Sequence, residues 1–255
     1  MKGWLIYDSE GRERNGWFIQ RLLTLAKEKG LDLELKTDIE GDAPDFAIVR
    51  TIHPNYNKTL EENGVRVFNN FLTSKTACDK WETYLLCKEL NIPVLETWKK
   101  EKPPLYPCVM KSVDGHGGTE VFWLKSEEDF KKAKSSIKGA YIFQEPSDIV
   151  GKDMRAYALG DEIVACVMRQ SDKDFKSNFS LGGKVSLTSA DEMQKEIVKK
   201  LREKLKFDYV GIDFMPTKSG WVLNEIEDSA GSRMLYSLSD FDVAERYIDY
   251  IKSVL

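Results

Sequence analysis

Three carboxylates, Asp213, Glu225 and Glu227, fall on two neighbouring strand-like runs, Tyr209 to Met215 and Trp221 to Glu227. Both runs are rich in aromatic and branched residues, and Pro216–Thr217–Lys218–Ser219–Gly220 between them is a turn signal. Side chains alternate along a strand, so Glu225 and Glu227 share a face. A hairpin closing through a loop of about five residues places Asp213 across from Glu225 on that face. Like charges opposed in a sheet destabilise it, so the cluster wants a counter-charge. A hard divalent cation such as Mg²⁺ answers that need and usually shares its shell with substrate phosphates. An exposed hairpin carrying solvated acids would use the same residues.

A second set of residues points to phosphate. Pro107–Val113 reads as an apolar strand holding one lysine, Lys111, and runs into Asp114–Gly115–His116–Gly117–Gly118–Thr119 before a further strand, Glu120–Leu124. Glycines let backbone N–H groups approach phosphate oxygens, and the ammonium adds a point charge. The stretch is not a P-loop, since G-x-x-x-x-G-K-[ST] is absent and a strand follows. A tight turn beside a snorkelling lysine is the plainer alternative, and His116 reads as a solvated loop residue. The polar loop Asp174 to Gly183, with Lys176, Ser177 and Asn178, could hold phosphate oxygens or be simply a loop.

Composition narrows the classes. The chain has 255 residues, 42% hydrophobic and 31% charged, enough for one or two domains with a substantial core. A formal charge of −4 gives no general drive toward nucleic acid or an anionic membrane. Cys78, Cys87, Cys108 and Cys166 are widely spaced, and His53 and His116 are the only histidines, which argues against zinc and for a reducing cytoplasm. No signal peptide or bilayer-length apolar run is evident, so the expectation is a soluble cytoplasmic protein.

The elements that must position these groups follow in order. Residues 1 to about 70 alternate strands and helices: Trp4–Tyr7 ends in Asp8, and helical spacing at Phe18, Leu22, Leu25 and Ala26 stops at Gly30. Leu31–Leu35, Phe46–Val49 and Val65–Phe68 complete a mostly parallel sheet. Ligands bind beyond the carboxyl ends of such strands, where Asp8 and Arg50 lie; a loop cap and an ordinary ion pair are the alternatives. A helix capped by Ser74 carries Ala77, Trp81, Tyr84 and Leu85 on one face and stops at Asn91–Ile92–Pro93. Glu127–Lys138 reads as a surface helix, and Tyr141–Phe143 as a strand leading to Gln144–Glu145–Pro146, a bend between lobes. Lys152–Leu159 and Ile163–Met168 form a hairpin about Gly160–Asp161, with Asp153, Arg155 and Arg169 as its notable charges. Met193, Ile197, Leu201 and Leu205 stripe one helix, and Ala244, Tyr247, Ile248 and Ile251 the last, Phe241–Val254.

Taken together, these pieces resemble an ATP-grasp protein, most nearly the RimK-type glutamate ligases, over almost the whole chain. The resemblance rests on Val67–Phe68–Asn69–Asn70, Asp79–Lys80, Asn91–Ile92–Pro93–Val94 and Lys111 with its glycine loop. It continues through Gln144–Glu145, Gly151–Lys152–Asp153–Met154–Arg155, Met168–Arg169, Asp174 to Gly183, Gly211–Ile212–Asp213 and Glu225–Ile226–Glu227. It implies an α/β chain, α+β in its C-terminal part. Residues 1–70 would form a pre-ATP-grasp parallel-sheet domain, 71–143 the small ATP-grasp subdomain, and 144–255 the large subdomain carrying the metal.

By the same resemblance Lys80 and Lys111 would hold the nucleotide phosphates under the loop bearing Gly115, Gly117 and Gly118. Gln144 and Glu145 would receive adenine, Asp153 the ribose, and Lys176, Ser177 and Asn178 would touch the phosphates. Arg169 would face the transferred phosphoryl group, and Asp213, Glu225 and Glu227 would ligate Mg²⁺ or Mn²⁺. Asp8, Arg50, Arg155 and Arg233 are the candidate substrate contacts, with an Arg233–Asp228 pair as the alternative for Arg233. Two departures stand out: Glu225–Ile226–Glu227 replaces the usual Glu-x-Asn, and Ser229–Ala230–Gly231 the usual Ser-Pro-Gly.

The implied reaction is ATP-dependent amide formation through an acyl phosphate, with release of ADP and phosphate. The acid and amine would be small molecules, peptides or protein tails, without nucleic-acid or membrane partners, and the chain could pair as a homodimer. A kinase that phosphorylates a small molecule and a non-catalytic nucleotide-binding module are the rival readings.

Overall fold

The computed structural model describes residues 1–115, 117–118, 120–171 and 183–255. The N-terminal part holds β1 (Lys2–Ile6), β2 (Asp32–Lys36), β3 (Phe46–Val49) and β4 (Arg66–Phe68), joined in a parallel sheet of order β2-β1-β3-β4. The inner strands β1 and β3 are apolar runs because both their faces are covered. The helices α1 (Ser9–Arg14), α2 (Gly16–Glu28) and α3 (Pro54–Glu62) connect the strands. Helix α2 buries Phe18, Ile19, Leu22, Leu25 and Ala26, as the spacing predicts.

The single helix expected after Ser74 is two. Helix α4 (Phe71–Ala77) is capped by Asn70, and α5 (Lys80–Glu89) by Asp79, whose carboxylate accepts from the Trp81 and Glu82 N–H groups. Ser74 is a buried residue inside α4, not a cap. The break at extended Asp79 restarts the helical phase, so Thr83, Leu86 and Cys87 turn inward while Leu85 is 44% exposed.

Two further sheets follow. The strands β5 (Thr97–Trp98), β6 (Cys108–Ser112), β7 (Val121–Leu124) and β8 (Tyr141–Gln144) form an antiparallel sheet of order β5-β8-β6-β7. Helix α6 (Glu127–Ser136) packs Phe130 and Ala133 against Met110, Leu124 and Phe143 of that sheet. The larger sheet has β9 (Lys152–Leu159), β10 (Glu162–Gln170), β11 (Lys184–Thr188), β12 (Tyr209–Thr217) and β13 (Gly220–Glu227), in the antiparallel order β11-β10-β9-β12-β13.

The large sheet is buried on both sides. On one, Ile197, Val198 and Leu201 of α7 (Glu192–Leu205) join Leu86 and Cys87 of α5 against Met154, Ile212 and Phe214. Met193, expected on that stripe, is 38% exposed, and Gln194 is buried in its place as part of a capping box with Asp191. On the other side α8 (Arg233–Leu238) and α9 (Val243–Val254) share one core with α2 and the N-terminal sheet, through Tyr157, Tyr209, Met234, Tyr247, Phe18 and Phe68. The edge strand β11 carries too little alternation to announce itself in sequence. No helix among the described residues is long and apolar enough to cross a membrane.

Candidate active site

Lys111 leaves β6 into a cleft of about 940 Å³ between the smaller sheet and the larger one. It is 9% exposed, and its ammonium donates to Gln144 Oε1 at 2.6 Å and across the cleft to Asn224 Oδ1 at 3.0 Å. Desolvation by burial is the largest influence on it and lowers its pKa to about 8, with the neighbouring Glu225 opposing that fall. Lys80, the first residue of α5, donates to the Gly115 carbonyl and lies 3.3 Å from Glu225 Oε1. A lysine from each of two elements therefore faces the acidic hairpin.

The hairpin turns more tightly than its sequence suggests. Thr217 pairs with Gly220, so the loop is Lys218–Ser219 and not a five-residue turn. Simple continuation of that register would set Asp213 opposite Asn224. A bulge between Asp213 and Phe214 of β12 shifts the pairing, and Asp213 faces Glu225. The same bulge lets consecutive residues Asn224 and Glu225 both line the cleft, which strict alternation would forbid.

Asp213 is 4% exposed and lies in an arginine cage. Arg155 donates from Nε to Oδ1 at 2.7 Å and from Nη2 to Oδ2 at 2.8 Å, and Arg169 Nη2 donates to Oδ2 at 2.7 Å. Burial alone would raise the Asp213 pKa, but Arg155 and Arg169 together outweigh it and hold the carboxyl far below its ordinary value. Arg155 also donates to Glu227 Oε1 at 2.5 Å. Arg169 is forked onto Asp153 at 2.6 and 2.7 Å.

Among the described residues no group of three acidic, imidazole or thiol side chains is gathered closely enough to hold a metal ion. The arginines account for this, because they take up Asp213 and one oxygen of Glu227. The donor set nevertheless fits a hard cation. Oε2 of Glu225 and Oε2 of Glu227 accept no hydrogen bond among the described residues, and both side chains border the cleft beside Asp213.

The remaining walls suit a flat ring and a phosphate chain. Leu95, Val109, Val121, Trp123, Val150 and Met215 supply apolar surface, and Gln144, Glu145, Lys152 and Asp153 the polar groups. The Glu145 N–H donates to Glu96 O at 2.8 Å, and Gln144 Nε2 to Thr97 Oγ1 at 3.2 Å. Gly117 and Gly118 hold φ of 66° and 75°, a left-handed conformation that glycine adopts freely. His116 and the phosphate-loop candidates Lys176, Ser177 and Asn178 lie outside the described residues.

Asp8, Arg50 and Arg233 do not reach this cleft. They line a second cavity of about 920 Å³ with Arg14, Cys78, Asp228 and Ser229, and it shares Gly117 and Glu227 with the first. Asp8 caps α1 by accepting from the Gly11 N–H at 2.6 Å. Arg50 makes no ordinary ion pair among the described residues; its Nε donates to Tyr7 Oη at 2.6 Å and its Nη2 to Ala230 O at 2.8 Å. The alternative Arg233–Asp228 pair is also absent among the described residues, since Asp228 instead accepts from Asn69 Nδ2 at 2.6 Å. Arg155, grouped with these from the sequence, instead pairs from β9 with the carboxylates of the acidic hairpin.

Sequence reasoning passed over Asn224, Lys152 and Trp123 as cleft residues. Asn224 faces the cleft because of a bulge that carries no Gly or Pro signal. The other two are strand residues of ordinary type.

Comparison with known proteins gives the family and the fold. A family model described as a RimK-like ATP-grasp domain matches residues 99–251. An uncharacterized protein of Mycoplasma genitalium is 29% identical over 250 residues, covering 93% of this chain and 87% of that protein. A probable alpha-L-glutamate ligase of Haemophilus influenzae is 24% identical over 234 residues, covering 82% of this chain and 78% of that protein. In fold, the chain is similar to the ATP-grasp ligase PsnB, solved with a precursor variant, Mg and ADP, with a TM-score of 0.73 at 14% identity over 98% of this chain and 97% of that one. The family match takes in the cleft strands from Lys111 to Glu227, and the chain belongs to the RimK-like ATP-grasp family.

Proposed function

We propose that this protein is an ATP-dependent carboxylate–amine ligase, working through an acyl phosphate and releasing ADP and phosphate. The observation that carries the reading is the meeting of Lys111 with Asn224 and Glu225 across one cleft, where cations from one sheet face carboxylates from the other. Relatives named as probable alpha-L-glutamate ligases and the fold likeness to a ligase solved with Mg and ADP support it.

Glu225 and Glu227 would offer their unspent oxygens, with Asp213 beside them, to magnesium or manganese. The bound metal would supply charge neutralisation at the phosphates. Lys80 and Lys111 would grip the phosphates, and the glycines of the loop would let its backbone N–H groups close on them. Gln144 and Glu145 would border the adenine and Asp153 the ribose. Arg169, fixed by Asp153 and Asp213, would present a preorganised cation where charge develops on the transferred group. A carboxylate is a poor electrophile, and phosphorylation gives it a leaving group before the amine attacks. No covalent enzyme intermediate is needed. We further propose the division into residues 1–70, 71–143 and 144–255, with the second cavity receiving the co-substrate.

The test is a phosphate-release screen with magnesium-ATP against a matrix of acids and amines, with products identified by mass. Amide product with stoichiometric ADP is expected. A phosphorylated alcohol with no amide would move the assignment to a kinase, and nucleotide binding without turnover for any pair would move it to a binding module.

A further inference from the structure

Asn224 is the extra residue of the β12–β13 bulge. Asp213 pairs with Glu225 and Phe214 with Leu223, so the register passes over Asn224 between them. Leu223 and Ile226 both enter the core beneath the larger sheet, which turns Asn224 and Glu225 together toward the cleft. Bulges beside functional sites commonly re-aim a side chain in this way. Here the re-aimed group is an amide, and it meets the Lys111 ammonium, which donates to its Oδ1 at 3.0 Å.

The other acceptor of Lys111 is Gln144 Oε1 at 2.6 Å, and Gln144 lies in the same sheet as the lysine, its Nε2 tied to Thr97 Oγ1 at 3.2 Å. Among the described residues, Asn224 is thus the only hydrogen-bond partner that reaches Lys111 from the opposite sheet. Both acceptors are neutral. Lys111 makes no ion pair among the described residues, although Glu225 follows Asn224 directly in the chain; Glu225 lies instead 3.3 Å from Lys80. A neutral amide offsets only part of what burying an ammonium costs, whereas a carboxylate in its place would neutralise the charge. The amide therefore fixes where the ammonium points and leaves the charge available to an anionic ligand.

We propose that Asn224 is a positioning residue for nucleotide binding: its amide oxygen holds the Lys111 ammonium across the cleft, un-neutralised, where the phosphates of the nucleotide arrive. Asn224 acts through Lys111 and needs no contact with the nucleotide. The bulge is the device that brings it there, since strict alternation would send either Asn224 or Glu225 away from the cleft. The inference rests on the reading of this cleft as a nucleotide site and adds to it a residue outside the charged set.

The experiment is a double-mutant cycle on magnesium-ATP affinity, measured by calorimetry on the full chain. Asn224→Leu keeps a branched side chain but removes the acceptor, and should weaken binding about tenfold when Lys111 is present. Made in the Lys111→Met background, the same change should alter affinity by less than about twofold. A purely structural role, or a direct contact of Asn224 with the nucleotide, predicts a similar loss in both backgrounds and overturns the proposal. Asn224→Ala repeats the cycle should Asn224→Leu not fold. Parent-like affinity in a folded Asn224→Leu or Asn224→Ala also overturns it. Asn224→Asp keeps an acceptor but neutralises Lys111, and should weaken binding about tenfold or more; affinity equal to the parent's overturns the requirement for a neutral group. Arg246→Ala, whose partner is the surface residue Glu162, should bind as the parent does. A parent chain that binds no magnesium-ATP overturns the nucleotide reading itself, and the inference with it, before any variant is compared.

Discussion

Asp213 and Glu225 face one another across the β12–β13 ladder, yet different cations hold them: Arg155 and Arg169 grip Asp213, and Lys80 approaches Glu225 at 3.3 Å. Asp213 is therefore built into the protein, whereas Glu225, half-buried at the cleft, keeps an oxygen to give. The two carboxylates should answer differently to removal of charge.

Asp213→Asn should destabilise the fold by about 3–5 kcal/mol, because it leaves two buried arginines short of an anion. Glu225→Gln should leave stability within about 1 kcal/mol, since its pair with Lys80 is only partly buried. Both should lose turnover. Denaturant unfolding of each variant beside an ADP-release assay checks the contrast, and equal stability losses would show that the arginine cage is not what holds Asp213.

Lys111→Met should raise stability or leave it unchanged while weakening ATP binding at least about tenfold. Burial already disfavours the Lys111 charge, and its partners Gln144 and Asn224 are neutral amides. Thermal unfolding with and without magnesium-ATP measures both effects; a sharp loss of stability in the absence of ligand would contradict the reading.

The pH dependence of nucleotide binding follows from the same residue. With its pKa lowered to about 8, Lys111 is increasingly neutral in the free protein above that pH, while bound phosphates favour the charged form. Binding should therefore take up a proton above about pH 8, and ATP affinity should fall as pH rises through that window. For folding the sign is opposite. Between about 8 and the ordinary lysine value the unfolded chain holds the extra proton, so this group makes stability rise with pH. Titrations in buffers of different ionisation enthalpy count the proton, and Lys111→Met should abolish its uptake.

Gly118→Ala should cost about 1 kcal/mol through the left-handed backbone that an L side chain resists. Gly115→Ala meets a different obstacle, because its new methyl would lie 2.0 Å from Ser112 Oγ. Both should raise the KM for ATP more than they lower the melting temperature, which paired kinetics and calorimetry would read; unchanged nucleotide kinetics would remove the loop from the binding site.

The fold was legible where periodicity was strong. Phe46–Val49 is β3 to the residue, because a strand covered on both faces reads as an unbroken apolar run, and Lys152–Leu159 is β9, marked by the Gly160–Asp161 turn that ends it. The phase of α5 was not legible, since Asp79 restarts the helix with a cap that charge spacing alone does not distinguish from a surface acid. The residues of the cleft could be named from their types, and the pairing of Asp213 with Glu225 was expected. Its cause was not, because it comes from a short turn and a bulge at Asn224 acting together. The arginine cage was equally hidden: Arg155 on β9 meets Asp213 only through a pairing distant in sequence.

The most direct measurement is calorimetric titration of ATP in magnesium into the parent chain, Lys111→Met and Glu225→Gln. The parent should bind with affinity that requires the metal. Lys111→Met should bind at least about tenfold more weakly, and Glu225→Gln should lose the metal dependence while remaining folded. Undiminished magnesium-dependent binding in both folded variants would contradict a nucleotide held between the β6 lysine and the acidic hairpin.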